Sequence, residues 1–348
     1  MYRRSLASIA ERGIYGAIIA LVYALVNLDQ SWGVFAGSLF IGFLLGFSTG
    51  WLDRWLFHTR LRRQQFMIVL VVRTVAYVLV VSLILLVALG VYLLLANQQG
   101  VGELWRSRIL QGWIAEGSFF YMVLYSLVVL LVLQFVTLIS RLLGPNVLIN
   151  YLLGRYHQAK EEERIFMFMD LRSSTTIAER LGHLKWHNFL NDFFFDIAKP
   201  VRRFRGEIYQ YVGDEVVISW PRDVGVRNLN CIKCFFGILA RMEGKRERYL
   251  KKYGYEPVFK SGYHVGTVVI GEIGDYKRDI VFHGDTVNTA SRIQAECNHY
   301  DRRLLLSKQL LDLLDIHGVY SSEYLGNILL RGKEEEVELY SLDPVVEV

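Results

Sequence analysis

Two aspartates stand where apolar strands are predicted to end, and their chemistry is that of a metal site. Asp170 follows the run Ile165–Met169, and Asp214 lies at the tip of a predicted hairpin that joins Glu207–Val212 to Glu215–Trp220. A Gly-Asp pair between two β-branched or aromatic runs is a hairpin signal, and taken alone its aspartate is a turn former. Two carboxylates at two strand ends can also share hard cations. We therefore expect a site for two Mg²⁺ or Mn²⁺ ions.

A polar turn directly after Asp170 adds a phosphate-binding feature. Ser173, Ser174 and Thr175 open a helix predicted to run to Leu181. Free backbone N–H groups at a helix start bind phosphate, and a carboxylate beside them can hold the cation that phosphate brings. These three residues are therefore candidate substrate contacts.

A third polar pattern lies in GDTVNTASRIQ, residues 284–294. Asn288 and Arg292 are four residues apart, so on a helix both project from one face and can reach the same ligand. Arginine suits the charge that develops on a transferring phosphoryl group. Without the other motifs, a surface helix with incidental polar residues explains this pattern equally well.

The elements that must position these residues form a predicted α+β domain of about 180 residues, enough for a core of its own. Helices are predicted at 173–181, 184–204, 228–251, 286–297 and 308–314, and strands at 165–169, 207–212, 215–220, 257–264, 268–273 and 336–341.

The whole chain is too apolar for an ordinary soluble protein. It has 348 residues, 53% of them hydrophobic, and a mean hydropathy of +0.27. The net charge of +5 comes mostly from arginines flanking the apolar runs, which indicates lipid headgroups and not nucleic acid as partners.

Cys231 and Cys234 form a C-x-x-C in a helical pattern, with no second pair at zinc spacing, and are predicted as helix core in a reducing compartment.

Four apolar runs fill residues 1–140, and a membrane span needs about 20 residues. We predict four transmembrane helices at Gly13–Leu28, Trp32–Leu52, Phe66–Ala96 and Phe119–Ile139. The distribution of arginines places both termini and the soluble domain in the cytoplasm, with the chain a multi-pass protein of the cell inner (plasma) membrane. Repeated glycines in the second run predict close helix packing.

Two further predictions concern the third apolar run and the segment after residue 140. Arg73 lies near the cytoplasmic end of the third run and is predicted to snorkel to the headgroups. Residues 141–163 form a linker with a short amphipathic helix, ending in a solvated charged run at Lys160–Glu163. The soluble domain is assigned to 164–342 and a tail to 343–348.

The blocks FMFMDLRSSTT, YQYVGDEVV and HGDTVNTASRI, with YHVGTVVIGEIG before the last, together resemble the catalytic domain of class III nucleotidyl cyclases, the adenylate and guanylate cyclases. The resemblance runs from about Ile165 to Ser341 and implies a ferredoxin-like α+β domain.

This resemblance implies a role for each matching residue. Asp170 and Asp214 match the two metal-binding aspartates, and the backbone carbonyl of Leu171 matches a further metal ligand. Asn288 and Arg292 match the residues that orient the ribose and stabilise the transition state. The family works as head-to-tail dimers, so the resemblance implies a homodimer with two composite sites that take a nucleoside triphosphate.

The residues that read the base depart from the family pattern. Where adenylate cyclases have a lysine and an aspartate or threonine, this chain has Gln210 and Val281. Arg331 falls where the family often has a basic residue for the terminal phosphates. Glutamine both donates and accepts, so it does not choose a base by itself.

The leading hypothesis is a membrane-bound adenylate cyclase that makes 3′,5′-cyclic AMP and pyrophosphate from ATP, because adenylate cyclases dominate the bacterial members of the family. The alternatives are a guanylate or pyrimidine nucleotide cyclase, and a catalytically silent nucleotide-binding signalling module.

Overall fold

A computed structural model describes residues 10, 12–21, 32–53, 66–97, 117–143, 153–276, 278–329 and 336–345. The chain divides into two compact units, Met1–Ile139 and Ser140–Val348. The finer division into linker, catalytic domain and tail stays a prediction.

The first unit is helical in all its described parts. Residues 12–21 are helical, followed by α1 (Trp32–Leu52), α2 (Phe66–Asn97) and α3 (Ser118–Leu143). Among the described residues, one helical stretch, Met67–Ala88, is long and apolar enough to cross a membrane. The apolar stretches in the other three helices are shorter, so the four-helix transmembrane domain stays a prediction.

The glycines of α1 pack against the first helical segment of the same chain. A side chain at Gly42 would overlap the backbone oxygen of Gly16, and one at Gly46 would overlap that of Arg12. A side chain at Gly37 would meet nothing within 4 Å. The glycine pattern thus serves helix packing at two of its positions.

A polar cluster centred on Asp53 contradicts the prediction for Arg73. Nε of Arg73 donates to Oδ1 of Asp53 at 3.0 Å, and Nη2 donates to the same oxygen. Tyr77 and Arg12 donate to the same carboxylate. Arg73 therefore does not reach outward, because a carboxylate 20 residues earlier in the chain pairs with it.

The second unit is an α+β domain. Its strands are β1 (Lys160–Leu171), β2 (Glu207–Val212), β3 (Glu215–Pro221), β4 (Phe259–Ile273), β5 (Asp279–His283), β6 (Leu304–Ser307), β7 (Tyr320–Leu329) and β8 (Glu336–Pro344). Its helices are α4 (Ser174–Leu181), α5 (His183–Arg203), α6 (Arg222–Val226), α7 (Asn230–Glu243), α8 (Arg246–Tyr253), α9 (Asp285–Glu296) and α10 (Lys308–Leu311).

All eight strands belong to one sheet with the order β2-β3-β1-β4-β6-β8-β7, and β5 pairs with β4 beside this path. The pair β4–β6 is parallel, and every other pair is antiparallel. The first four strands and the helices between them follow a β-α-β-β-α-β path with the spatial order 4-1-3-2, the ferredoxin-like arrangement that was predicted.

The central strand β1 is buried on both faces because its side chains alternate between two cores. Ile165, Met167 and Met169 face the larger core, which contains residues of α5, α7 and α8. Phe166 and Phe168 face a smaller core that includes Ala290 of α9. Helices thus cover both sides of the strand that ends at Asp170.

Four element predictions were wrong in their details. The strand predicted at 165–169 begins at Lys160, because Lys160–Glu163 pairs with Thr267–Ile270 of β4, although this run is mostly solvent-exposed as predicted. Residues 153–159 form turns and not a linker helix. Residues 144–152 of the predicted linker lie outside the described part. The helix predicted at 228–251 ends at Glu243, with Gly244 as its cap, and α8 follows. The strands predicted at 257–264 and 268–273 are one strand, β4.

The prediction that Cys231 and Cys234 belong to a helix core is confirmed. Cys231 and Cys234 are fully buried in α7, and Cys297 is buried beside the end of α9. Burial raises the pKa of Cys231 to about 12 and that of Cys297 to about 12. These thiols are therefore inert parts of the core.

Candidate active site

The antiparallel pairing of β1 with β3 brings the two predicted metal aspartates together. Met169 pairs with Val216, so the turn that carries Asp214 lies beside the end of β1. Asp170 is half-buried, and the carboxyl group of Asp214 lies close enough to perturb it. Burial, and then the adjacent charge of Asp214, raises the pKa of Asp170 to about 6. The two carboxylates thus form one acidic site.

Three further side chains complete this site. Glu215, next to Asp214, is half-buried, and burial together with the charges of both aspartates raises its pKa to about 7. The ammonium of Lys260 lies 3.5 Å from Oδ2 of Asp170, and its side chain is only 8% exposed. Nε2 of Gln294 donates to the same Oδ2 at 3.2 Å. The described site therefore holds three carboxyl groups and one lysine.

The donor set of this site fits a divalent cation. Clustered carboxyl groups with raised pKa values are short of positive charge, which a bound cation supplies. Among the described residues, no three His, Cys, Asp or Glu side chains are arranged to hold an ion by themselves. Hard cations such as Mg²⁺ often take one or two protein carboxylates and complete their shell with water and substrate phosphates. Asp170 and Asp214 match that pattern.

The predicted phosphate-binding turn follows the same strand end. Ser173 precedes α4 in a left-handed conformation with φ of 57°, and its carbonyl accepts from the backbone N–H of Ile177 at 3.0 Å. Its hydroxyl does not cap the helix. Ser174 and Thr175 are the first two residues of α4. Leu171 is the last residue of β1, with a buried side chain, and the ligand role of its carbonyl stays a prediction.

Asn288 and Arg292 lie on α9, as predicted. Asn288 is exposed, whereas Nη1 of Arg292 is buried and has no hydrogen-bond partner among the described residues. A buried guanidinium nitrogen without an acceptor is costly and fits a residue that binds an anion. Nη1 of Arg292 is therefore a candidate contact for an anionic ligand.

The two positions expected to read the base lie on β2 and β5, two strands that do not pair with each other in the sheet. Gln210 is exposed on β2, and Val281 is half-buried on β5. Their neighbours Tyr209 and Phe282 are in contact. The backbone N–H of Phe282 donates to the hydroxyl of Tyr209 at 3.4 Å, and the two rings pack edge to face. Arg331 lies outside the described residues.

The sequence interpretation missed Glu215, Lys260 and Gln294. Glu215 adjoins a predicted ligand, and Lys260 is a charged residue inside an apolar strand, so both carried a weak signal. Gln294 carried none, because its contact depends on how α9 lies on the sheet.

Comparison with known proteins assigns the family. Residues 156–344, more than half of the chain, match the family described as the adenylate and guanylate cyclase catalytic domain. The chain belongs to this family. The resemblance inferred from the motifs is thus confirmed, and the second unit contains a nucleotidyl cyclase domain.

Individual members of the cyclase family give more detail. Adenylate cyclase 2 of Rhizobium meliloti (strain 1021) is 40% identical over 208 residues, a match that covers 60% of this chain and 57% of that protein. Uridylate cyclase of Rhodovulum sp. (strain MB263) is 25% identical over 173 residues, covering 44% of this chain and 71% of that protein.

A solved structure supports the fold. A bacterial light-regulated adenylyl cyclase superimposes with a TM-score of 0.52 at 19% identity, covering 61% of each chain. This similarity shows the cyclase fold alone. Since the chain spans 57% of adenylate cyclase 2, its own activity is a matter for proposal.

Proposed function

We propose that the protein is a membrane-bound adenylate cyclase that converts ATP to 3′,5′-cyclic AMP and pyrophosphate. The observation that carries the proposal is the pair of adjacent carboxyl groups, Asp170 and Asp214, which the pairing of β1 with β3 brings together in a member of the cyclase family. The choice of ATP is supported by the relative named adenylate cyclase 2, which is 40% identical over the matched region.

The proposed reaction is an internal displacement at phosphorus. The 3′-oxygen of ATP forms a bond to the α-phosphorus, the bond from that phosphorus to the bridging oxygen breaks, and pyrophosphate leaves while the hydroxyl proton is lost. Asp170, Asp214 and the carbonyl of Leu171 would hold two Mg²⁺ or Mn²⁺ ions. When bound, such ions lower the pKa of the attacking hydroxyl and neutralise phosphate charge.

The other residues of the chain bind and orient the substrate in this proposal. The backbone at Ser173, Ser174 and Thr175 contacts phosphate oxygens, and Asn288 orients the ribose. Arg292 supplies its unpaired Nη1 to the charge that develops on the transferring phosphoryl group. Arg331 binds the terminal phosphates.

A homodimer with composite sites is part of the proposal. On a helix with about 100° per residue, Arg292 points about 200° away from Gln294, the residue of α9 that touches Asp170. Asn288 is about 120° from Gln294 by the same geometry, so neither Asn288 nor Arg292 shares the face of α9 that contacts Asp170 of the same chain. A second copy of the chain would supply the missing half of each site.

A pyrimidine or guanine nucleotide is the second candidate substrate. Gln210 and Val281 stand at the positions expected to read the base and offer no fixed preference for adenine. A matched relative is named a uridylate cyclase, so membership of the family does not choose the base.

A product assay tests the proposal. Purified full-length protein receives Mn²⁺ or Mg²⁺ and, separately, ATP, GTP, CTP or UTP, with Asp214→Ala as the matched control. We expect cyclic AMP from ATP and none from the control. Cyclic GMP or a cyclic pyrimidine nucleotide as sole product would overturn the choice of ATP. If no nucleotide gives a product, cyclase activity is refuted and the catalytically silent signalling module becomes the favoured function.

The membrane anchor is a separate proposal. Helices α1 to α3 carry large apolar side chains that are more than 60% exposed, among them Phe40, Leu79, Leu83, Phe120 and Phe135, and lipid would cover them. We expect the protein to stay in inner-membrane pellets after carbonate washing. Reporter fusions at residue 105 and at the C-terminus should place these points on opposite sides. Extraction by carbonate would exclude the anchor.

A further inference from the structure

The contact between Gln294 and Asp170 joins the two halves of the chemistry within one chain. Gln294 is 6% exposed, and Nε2 donates to Oδ2 of Asp170 at 3.2 Å. Lys260 approaches the same oxygen at 3.5 Å. Two donors that converge on one carboxylate oxygen restrict the rotation of that carboxyl group.

Close packing of α9 on β4 fixes the position of the Gln294 backbone. A Cβ on Gly262 of β4 would lie closer than 3.0 Å to the backbone nitrogen of Gln294, and one on Gly266 would lie equally close to Thr286. The hydroxyl of Thr286 also donates to the carbonyl of Thr267 at 2.8 Å. Helix α9 therefore lies directly on β4, the neighbour of β1, at two glycines.

We propose that Gln294 is a positioning residue for the cyclase reaction, which holds the carboxylate of Asp170 in the orientation that a divalent cation requires. This inference rests on the proposed function. It assigns to α9 two roles, because the helix presents Asn288 and Arg292 to one composite site while Gln294 supports the metal aspartate of the other. A merely structural Gln294 would contribute to packing alone.

Binding of Mn²⁺ alone tests the inference without any turnover. Free Mn²⁺ is measured by electron paramagnetic resonance during titration of the full-length protein, its Gln294→Leu variant and its Asp170→Asn variant. Loss of a residue that orients a metal ligand weakens metal binding by about tenfold, and we expect that loss for Gln294→Leu. The matched control is Thr289→Val, in which a buried residue of α9 loses a hydrogen bond to Asp285 and not to Asp170. Equal Mn²⁺ affinity in Gln294→Leu and wild type would overturn the inference.

A mixed dimer separates positioning from general damage to α9. Differently tagged Asp170→Ala and Arg292→Ala chains are purified as a heterodimer, which has one intact composite site. Gln294→Leu is then added to one chain at a time. We expect lower kcat and a higher Mn²⁺ requirement only when the change is on the Arg292→Ala chain, because that chain supplies the working Asp170.

The outcomes of the mixed-dimer experiment are distinct. An equal loss from both placements, or no loss from either, would overturn the positioning role. If the heterodimer without any change at Gln294 recovers no activity, the composite-site proposal fails. The Mn²⁺ titration then decides the role of Gln294 by itself.

Discussion

Gly262 of β4 lies directly against the backbone of Gln294 in α9, so closely that no side chain fits between them. A glycine inside a strand marks such an approach of backbones. Gly262→Ala must therefore push α9 off the sheet, and overpacking of this kind costs about 1–3 kcal/mol. We expect a lower unfolding temperature by differential scanning fluorimetry and a larger fractional loss of cyclase activity, because the Gln294–Asp170 bond breaks.

The control for this change is Gly244→Ala. Gly244 follows α7 with ordinary helical angles, and a Cβ there meets its nearest atom at 3.5 Å. We expect stability and activity close to wild type. If Gly262→Ala behaves in the same way as Gly244→Ala, the close packing of α9 does not govern the site.

The same packing explains which parts of the site the sequence could predict. Asp170 and Asp214 were recognisable because each stands where a strand pattern meets a turn signal. Gln294 was not, since 124 residues separate it from Asp170 and their contact depends on how α9 packs on the sheet. The predicted gap between the strands 257–264 and 268–273 contains Gly266, which in the structure is the position of β4 where Thr286 packs against the backbone.

Charged residues account for the remaining errors. Lys160–Glu163 is mostly solvent-exposed as predicted, but the sequence did not reveal that pairing with β4 extends β1 through this run. Arg73 reads as a snorkelling side chain, because its partner Asp53 lies on a different helical element. Both features depend on contacts between different secondary-structure elements, and a local sequence pattern does not reveal such contacts.

Gln210 is predicted to set the choice of base. Its exposed amide on β2 can donate and accept, and Gln210→Leu removes both abilities. A lost hydrogen bond of about 0.5–1.5 kcal/mol lowers kcat/KM for the preferred nucleotide by about two- to tenfold. We expect the ratio of kcat/KM between ATP and GTP to move toward one, with an unchanged Mn²⁺ requirement. An equal fall for every nucleotide would place Gln210 outside base recognition.

The acid limit of stability depends on Asp192. Burial alone would raise the pKa of Asp192, but hydrogen bonds from Lys252 and Tyr253, and the charges of Lys252 and Arg248, lower it overall. A lowered pKa stabilises the fold above the unfolded value of about 4, and this contribution is lost as the pH falls further. We expect Asp192→Asn to lower the unfolding temperature at pH 7, with a gap to wild type that narrows below about pH 4.

The control for the pH experiment is an aspartate on the surface. The side chain of Asp223 is 79% exposed beside Arg222, and exposed ion pairs contribute little. Asp223→Asn should therefore follow the wild-type curve at every pH. A gap between Asp192→Asn and wild type that stays constant down to pH 3 would refute the role of the Asp192 charge.

The pairing of Arg73 with Asp53 predicts how the helical unit responds to loss of charge. Both side chains are nearly buried, at 13% and 12% exposure, and removing one member of a buried pair costs about 3–5 kcal/mol. Arg73→Leu should therefore reduce the amount of folded protein in membranes and its unfolding temperature in detergent. The double variant Asp53→Asn with Arg73→Leu should recover part of the loss, because no carboxylate is then left with too few partners. Tolerance of Arg73→Leu alone would instead fit an arginine that reaches the headgroups, for which Asp53 is no essential partner.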